Sequence, residues 1–307
     1  MPKATKKIYL IAASVIPGLS RQDILQKMPE LNFLAEVEPI FLFDKFSAEI
    51  TVDDWLKLTQ EIIKRKETAR GFVILHGLDN LLYTAAVLNF LLPNPFVPII
   101  FTGGQARPDD IKQLEIKANL INAIQAAKSE LNEVCLMFGN RLLRASQSVR
   151  TYDETLNLFS APASGILGRI DFSIRIFDKL LTRGKSKKNN PIVLNKNIAI
   201  IELTPFLDLK NLAERLNKKQ AIIIDASRNQ NLPTDLVFFL NKLAADVPVL
   251  VWGLKLTPKN LGKNVINVVD LTWEVSVIKF MWLLNQTQKF SEITELMNQN
   301  LTGEKLI

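Results

Sequence analysis

Residues 71–105, GFVILHGLDNLLYTAAVLNFLLPNPFVPIIFTGGQ, constrain the fold more than any other stretch of the chain. The apolar run Phe72–Leu75 is strand-length and stops at His76-Gly77-Leu78-Asp79. A helical pattern begins near Asn80, a Pro-rich loop follows, and Val97–Phe101 leads into Thr102-Gly103-Gly104-Gln105. Strand, sharp turn, helix, loop, strand is a βαβ unit, and the crossover makes its two strands parallel. Polar residues then collect at the carboxyl ends of two parallel strands, where open α/β sheets place ligands.

The same alternation runs through the whole chain. Strands are expected near Ile8–Ala13, Glu36–Phe43, Gly71–His76, Val97–Phe101 and Glu133–Phe138. Helical patterns lie near Arg21–Lys27, Val52–Lys64, Asn80–Leu91 and Pro108–Lys128. Asp53 and Asp54 stand in the first turn of the second of these, where acidic side chains favour the helix dipole. Gly165–Ile176 reads as a short strand pair closing the first domain. Leu181–Lys196, polar, basic and Pro-containing, reads as a linker. Beyond it strands are expected at Asn197–Glu202, Gln220–Asp225, Pro248–Trp252 and Val265–Val268. Helices are expected near Leu207–Leu216, Pro233–Ala244, Thr272–Leu284 and Ser291–Leu301. The expectation is an α/β protein of two domains, residues 1–180 and 197–307 joined by 181–196, with mainly parallel sheets flanked by helices.

Composition narrows the function classes. A chain of 307 residues, nearly half of them hydrophobic, can bury a sizeable core. The single cysteine, Cys135, allows no intrachain disulfide and fits a reducing compartment. Its place in an apolar run makes it a core residue by expectation. The net charge of +7 comes from dispersed lysines apart from Arg183–Lys188, so nucleic acid is not expected as a partner. Lys3–Lys7 followed by Ile8–Ile16 mimics a signal peptide. The run is short, contains Ser14 and supplies the first sheet strand, so a cytoplasmic protein is expected, and no segment is apolar long enough to span a membrane. One histidine and one cysteine exclude a typical His/Cys zinc site.

Several blocks, taken in order, resemble the bacterial type I L-asparaginases. His76–Asn80 followed by a helix, a strand and Thr102–Gln105 resembles the family's HGTDT–helix–strand–TG(A/S)Q core. Lys6–Gly18 sits where the family has ILATGGTIAG, which sets Ser14 against its nucleophilic threonine. Phe46–Trp55 resembles DSSNMTPEDW and places Ser47 on the serine that binds the substrate carboxylate. Gln113–Asn119, Arg141–Phe159, Ser227–Pro233, Thr272–Leu284 and Leu296–Glu304 resemble further family segments. The resemblance implies hydrolysis of L-asparagine to L-aspartate and ammonia without a cofactor. It also implies a homo-oligomer, dimer or tetramer, whose sites are completed by a neighbouring subunit, or a heteromer with a related subunit.

The implied residues are Ser14, Asp79 and Arg150 for catalysis, and Ser47, Asp79, Gly103 and Gln105 for substrate binding. Each has a plainer reading beside it. Ser14 is either a nucleophile or a small polar residue at a strand end. Asp79 is either a triad acid that also holds the substrate ammonium or a helix N-terminal acid. Arg150 falls on the family's catalytic lysine, but a guanidinium stays protonated and cannot serve as the base. Leu78 falls on the triad threonine and has no hydroxyl. Only Val15–Leu19 separates Ser14 from Ser20, where the family carries a long flap that excludes water. Weak or lost hydrolysis is therefore expected. The alternatives are a catalytically inactive protein that binds an aspartate-like amino acid, and a non-catalytic subunit of an assembly. An amidotransferase subunit feeding ammonia to tRNA-linked glutamate ranks last.

Overall fold

The computed structural model describes residues 6–16, 29–104, 110–151, 158–171, 173–177, 191–216 and 218–306. The expected helix at Arg21–Lys27, most of the expected linker and Gln105 lie outside them. The chain divides into two compact units, Met1–Ile192 with Thr302–Ile307, and Val193–Leu301.

The first unit is built on an eight-stranded sheet. In chain order it contains β1 (Lys7–Ala12), α1 (Glu30–Leu34), β2 (Val37–Phe41), α2 (Val52–Lys64), β3 (Ala69–Leu75), α3 (Leu81–Leu91) and β4 (Ile99–Thr102). It continues with α4 (Asp110–Ala127), β5 (Val134–Phe138), β6 (Arg141–Arg144), β7 (Val149–Arg150), β8 (Phe159–Ser160), β9 (Ile166–Ile170) and β10 (Ile174–Ile176). The sheet order is β10-β9-β6-β5-β4-β3-β1-β2, and β2, β1, β3, β4 and β5 run parallel. β7 and β8 form a separate two-stranded ribbon.

The parallel strands are apolar on both faces because each face is covered. One face packs Ile11, Phe72, Ile74 and Phe101 against Leu58, Ile62, Leu81 and Leu88 of α2 and α3. The other packs Ile8, Leu10, Val73 and Ile100 against Leu120, Ala123 and Ile124 of α4. The two helices of the first layer show what this does to sequence. α2 is amphipathic and capped by Thr51, whose hydroxyl accepts from the Asp54 amide while the Asp54 carboxylate accepts from the Thr51 amide. α3 is apolar around its circumference and buries all but one of its residues.

β6 was not expected from the sequence. It closes a hairpin on β5 through Gly139-Asn140, with Gly139 at φ 57°, a backbone region that favours glycine. The strand pair expected at Gly165–Ile176 is β9 and β10, antiparallel.

The second unit has a four-stranded parallel sheet, β11 (Ile198–Glu202), β12 (Ala221–Asp225), β13 (Val249–Trp252) and β14 (Val265–Val268), paired in chain order. Its helices are α5 (Leu209–Leu216), α6 (Thr234–Leu243), α7 (Trp273–Leu283) and α8 (Phe290–Asn298). Lys279 of α7 is fully buried, and its ammonium donates to the carbonyls of Met297 and Gln299 at the end of α8. The last residues differ from the expected division, which ran the second domain to residue 307. Thr302 and the following residues pack with the first unit: Asn89 Nδ2 donates to Thr302 Oγ1, and Gln147 Nε2 donates to the carbonyls of Gly303 and Lys305. Among the described residues no helix is long and apolar enough to cross a membrane.

Candidate active site

The sheet order decides where a ligand site can form. β1 has β2 on one side and β3 on the other, so the chain winds in opposite directions from it. A crevice opens at the carboxyl ends of strands at such a reversal. β1 runs out into Ala13 and Ser14, and β3 runs out into His76-Gly77-Leu78-Asp79. The segment Lys45–Glu49 joins them from the edge. Val15 N–H donates to the Lys45 carbonyl at 2.7 Å, and Val15 and Phe46 form an isolated parallel bridge.

Three of the expected residues meet there. The Gly77 amide donates to Ser14 Oγ at 2.7 Å. Ser47 Oγ donates to Asp79 Oδ2 at 2.7 Å and accepts from the Asp79 amide at 3.3 Å. Ser14 and Ser47 are both buried. Gly77 stands between them with no room for a side chain. A Cβ there would lie 2.6 Å from Ser47 Oγ and 3.4 Å from Ser14 Oγ.

The surrounding residues hold this arrangement in place. Asn80 Nδ2 donates to the Ser47 carbonyl at 2.8 Å. Lys45 reaches the Asp54 carboxylate of α2 at 2.8 Å. Burial opposes the charge on Asp54, but Lys45 and the Thr51 hydroxyl and amide outweigh it and leave its pKa below the usual value. Gly103, after β4, contributes its carbonyl to Asn119 Nδ2, and Asn119 Oδ1 accepts from the Gly139 amide. Asn80, Lys45 and Asn119 had no role in the sequence reading. Asn80 and Asn119 end two of the blocks that resemble the family, and Lys45 directly precedes a third, so their places in those blocks were the available signal.

His76 is a structural residue of this loop. Its ring is fully buried. Nδ1 faces the Gly77 carbonyl at 2.6 Å, so Nδ1 carries the proton, and Nε2 faces Thr84 Oγ1 at 3.0 Å. Trp55 Nε1 donates to the same Thr84 hydroxyl at 2.9 Å, which links α2, α3 and β3. Desolvation lowers the His76 pKa to about 4, against smaller opposing effects of the Gly77 carbonyl and Asp79. The imidazole is neutral at pH 7 and has neither free nitrogen nor orientation for Ser14.

That shift has a pH consequence. The unfolded histidine takes up a proton as pH falls through about 6.5, and the folded one does not until about 4. Stability is therefore full above about pH 6.5 and declines toward pH 4, by about 3 kcal/mol if this group acts alone. Urea unfolding of wild type and His76→Asn across this range checks it: the wild type should lose stability more steeply. Parallel pH profiles would contradict it.

A family model described as "Asparaginase, N-terminal" matches residues 10–181, more than half of the chain. The chain belongs to the asparaginase family. It is 28% identical over 281 residues to L-asparaginase 1 of Escherichia coli, covering 84% of this chain and 81% of that one. It is 27% identical over 316 residues to a glutamyl-tRNA(Gln) amidotransferase subunit of Methanosphaera stadtmanae, covering 95% and 72%. Among solved structures, L-asparaginase I of Vibrio cholerae superposes with a TM-score of 0.82 at 26% identity, covering 99% of this chain and all of that one. The L-asparaginase of Thermococcus kodakarensis superposes at 0.81 with 23% identity, covering 98% and 99%, and shares the fold.

Two positions differ in residue type from what the resemblance sets there. Leu78, where the resemblance sets a catalytic threonine, is buried in the core cluster with Ala13, Leu81 and Leu82. Arg150, expected among the catalytic residues, ends the short strand β7 and pairs in register with Phe159 of β8. Ser14, Ser47 and Asp79 are thus brought together, Gly103 serves through its backbone carbonyl, and Arg150 lies on the β7–β8 ribbon.

Proposed function

We propose that this asparaginase-family chain binds a small amino acid at the Ser14–Ser47–Asp79 cluster and hydrolyses L-asparagine weakly or not at all. The observation that carries this reading is the environment of Ser14. Its oxygen accepts a backbone N–H, and among the described residues no titratable group takes its proton. An alcohol at its ordinary pKa is a poor nucleophile without an adjacent base. Asp79 is the nearest charged group in the cluster, and its Oδ2 is engaged by Ser47 rather than by Ser14.

The binding half of the chemistry rests on Ser47 and Asp79. A carboxylate at a strand end suits the ammonium of an amino acid. Ser47 suits the ligand's carboxylate only if its hydroxyl hydrogen leaves Asp79, since one hydrogen cannot serve both. Ligand entry thus exchanges one hydrogen bond for another within the cluster. An aspartate-like ligand remains within this reading. A cytoplasmic location goes with the reading, as the lone buried Cys135 fits a reducing compartment.

Calorimetric titration with L-asparagine and L-aspartate tests it. Asp79→Asn should weaken binding by about ten-fold or more, because a charge-assisted hydrogen bond is lost. No heat with either amino acid, or equal affinity in Asp79→Asn, would remove the proposal.

A second reading draws on the relatives named as glutamyl-tRNA(Gln) amidotransferase subunits, from Methanosphaera, Pyrococcus and Methanosarcina. In it the chain is one member of a heteromer with a related protein. Native mass spectrometry of the affinity-purified chain distinguishes the two: a homo-oligomer supports the first, a stoichiometric second polypeptide the other.

A further inference from the structure

The amino ends of the parallel strands, opposite the Ser14 cluster, carry a second feature that the proposed function does not use. A cleft of about 460 Å³ is lined there by Lys6, Arg70, Phe96, Pro98, Lys128 and Glu130. Its residues come from four neighbouring strands. Lys6 precedes β1, Arg70 is near the start of β3, Phe96–Pro98 lead into β4, and Lys128–Asn132 join α4 to β5. The sheet order β5-β4-β3-β1 sets these four strand ends side by side. At about 4.8 Å per strand, the row is about 14 Å across, the size of a mononucleotide rather than of a macromolecule.

The charges are unbalanced. Three cations face one carboxylate, and among the described residues Lys6, Arg70, Lys128 and Glu130 form no ion pair with any group. One cation has a structural reason to be there. Arg70 Nη2 donates to the Lys128 carbonyl at 3.3 Å, beside the end of α4, where a positive group is favourable. That accounts for one guanidinium and leaves Lys6, just before β1, without such a reason. Phe96 is 41% exposed in the same cleft. An exposed aromatic ring beside unpaired cations is a stacking platform next to an anion site.

We propose that this cleft binds a nucleoside monophosphate. The phosphate lies among Arg70, Lys6 and Lys128, with the planar fork of Arg70 taking two of its oxygens. The base stacks on Phe96. Ser129 and Asn132, which also line the cleft, and Glu130 offer hydrogen bonds to the sugar and the base edge.

Calorimetric titration of the full chain tests this with adenosine monophosphate, adenosine, inorganic phosphate and a ten-nucleotide RNA. Adenosine monophosphate should bind at one site, and adenosine or phosphate alone about ten-fold or more weakly. Arg70→Gln and Phe96→Ala, both at exposed side chains, should each weaken it about ten-fold while leaving the thermal melt in place. No binding of adenosine monophosphate overturns the proposal. So does affinity unchanged in both variants, or phosphate bound as tightly as the nucleotide. RNA bound more tightly than the mononucleotide overturns it in favour of a nucleic-acid surface.

Discussion

Purified protein given L-asparagine is expected to release ammonia about 10²–10⁴-fold below the ordinary enzyme range of about 1–10³ s⁻¹. That factor is what general-base help to a nucleophile typically contributes. Three features of the chain remove the help. The position matched to the triad threonine is Leu78, which the core has absorbed: its side chain packs with Ala13 and Leu81. Arg150 sits on the β7–β8 ribbon, and its guanidinium has no deprotonated form to offer. The one histidine is sealed, with both ring nitrogens engaged by Gly77 and Thr84. Whatever hydrolysis remains must use Ser14, so Ser14→Ala should bring it to background. Leu78→Thr alone should restore little, because a hydroxyl placed in that apolar cluster meets no titratable partner there. An ammonia-release assay on the three proteins decides the matter. Ordinary turnover by the wild type, or turnover that survives Ser14→Ala, would contradict this account.

The parts of this picture that could be read from the chain alone follow a physical rule. Elements whose pattern is set by burial on both faces were legible: β3, β4 and β5 are short apolar runs between helical patterns, and β14 has its expected bounds. β6 was missed because Arg141-Leu142-Leu143-Arg144 is short and begins and ends in charge. Its only local signal was the Gly139-Asn140 pair, a hairpin turn of two residues. The site is harder to read. Ser14, Ser47 and Asp79 are separated by more than thirty residues each, and nothing local joins them. Their meeting follows from the order β2-β1-β3, which a sequence pattern does not state. Resemblance supplied that order implicitly, and so named Ser47 with Asp79. It also named Arg150, which the fold places on the β7–β8 ribbon rather than on the main sheet.

The largest effect on stability is expected from Arg144→Met, about 3–5 kcal/mol in urea unfolding. Arg144 ends β6, and Glu133 precedes β5, the strand paired with it. The guanidinium meets the carboxylate with two bonds, Nε to Oε2 at 2.7 Å and Nη2 to Oε1 at 3.1 Å, and its Nη1 donates to the Ser164 carbonyl at 3.0 Å. Both side chains are under a tenth exposed. Their mutual attraction mainly offsets the cost of taking two charges out of water, so the intact pair adds little net stability. Removing one member is different. Methionine fills the space and leaves the Glu133 carboxylate buried without its bidentate partner, facing the apolar surround of Cys135, whose own thiol burial pushes well above its usual pKa. A double-mutant cycle separates these contributions. Arg144→Met with Glu133→Leu should recover most of the loss, since no charge is then stranded. A single variant within about 1 kcal/mol of wild type would show that a stranded Glu133 costs little, and a double variant no more stable than the single would show that the pair stabilises the hairpin by its attraction rather than by each charge sheltering the other.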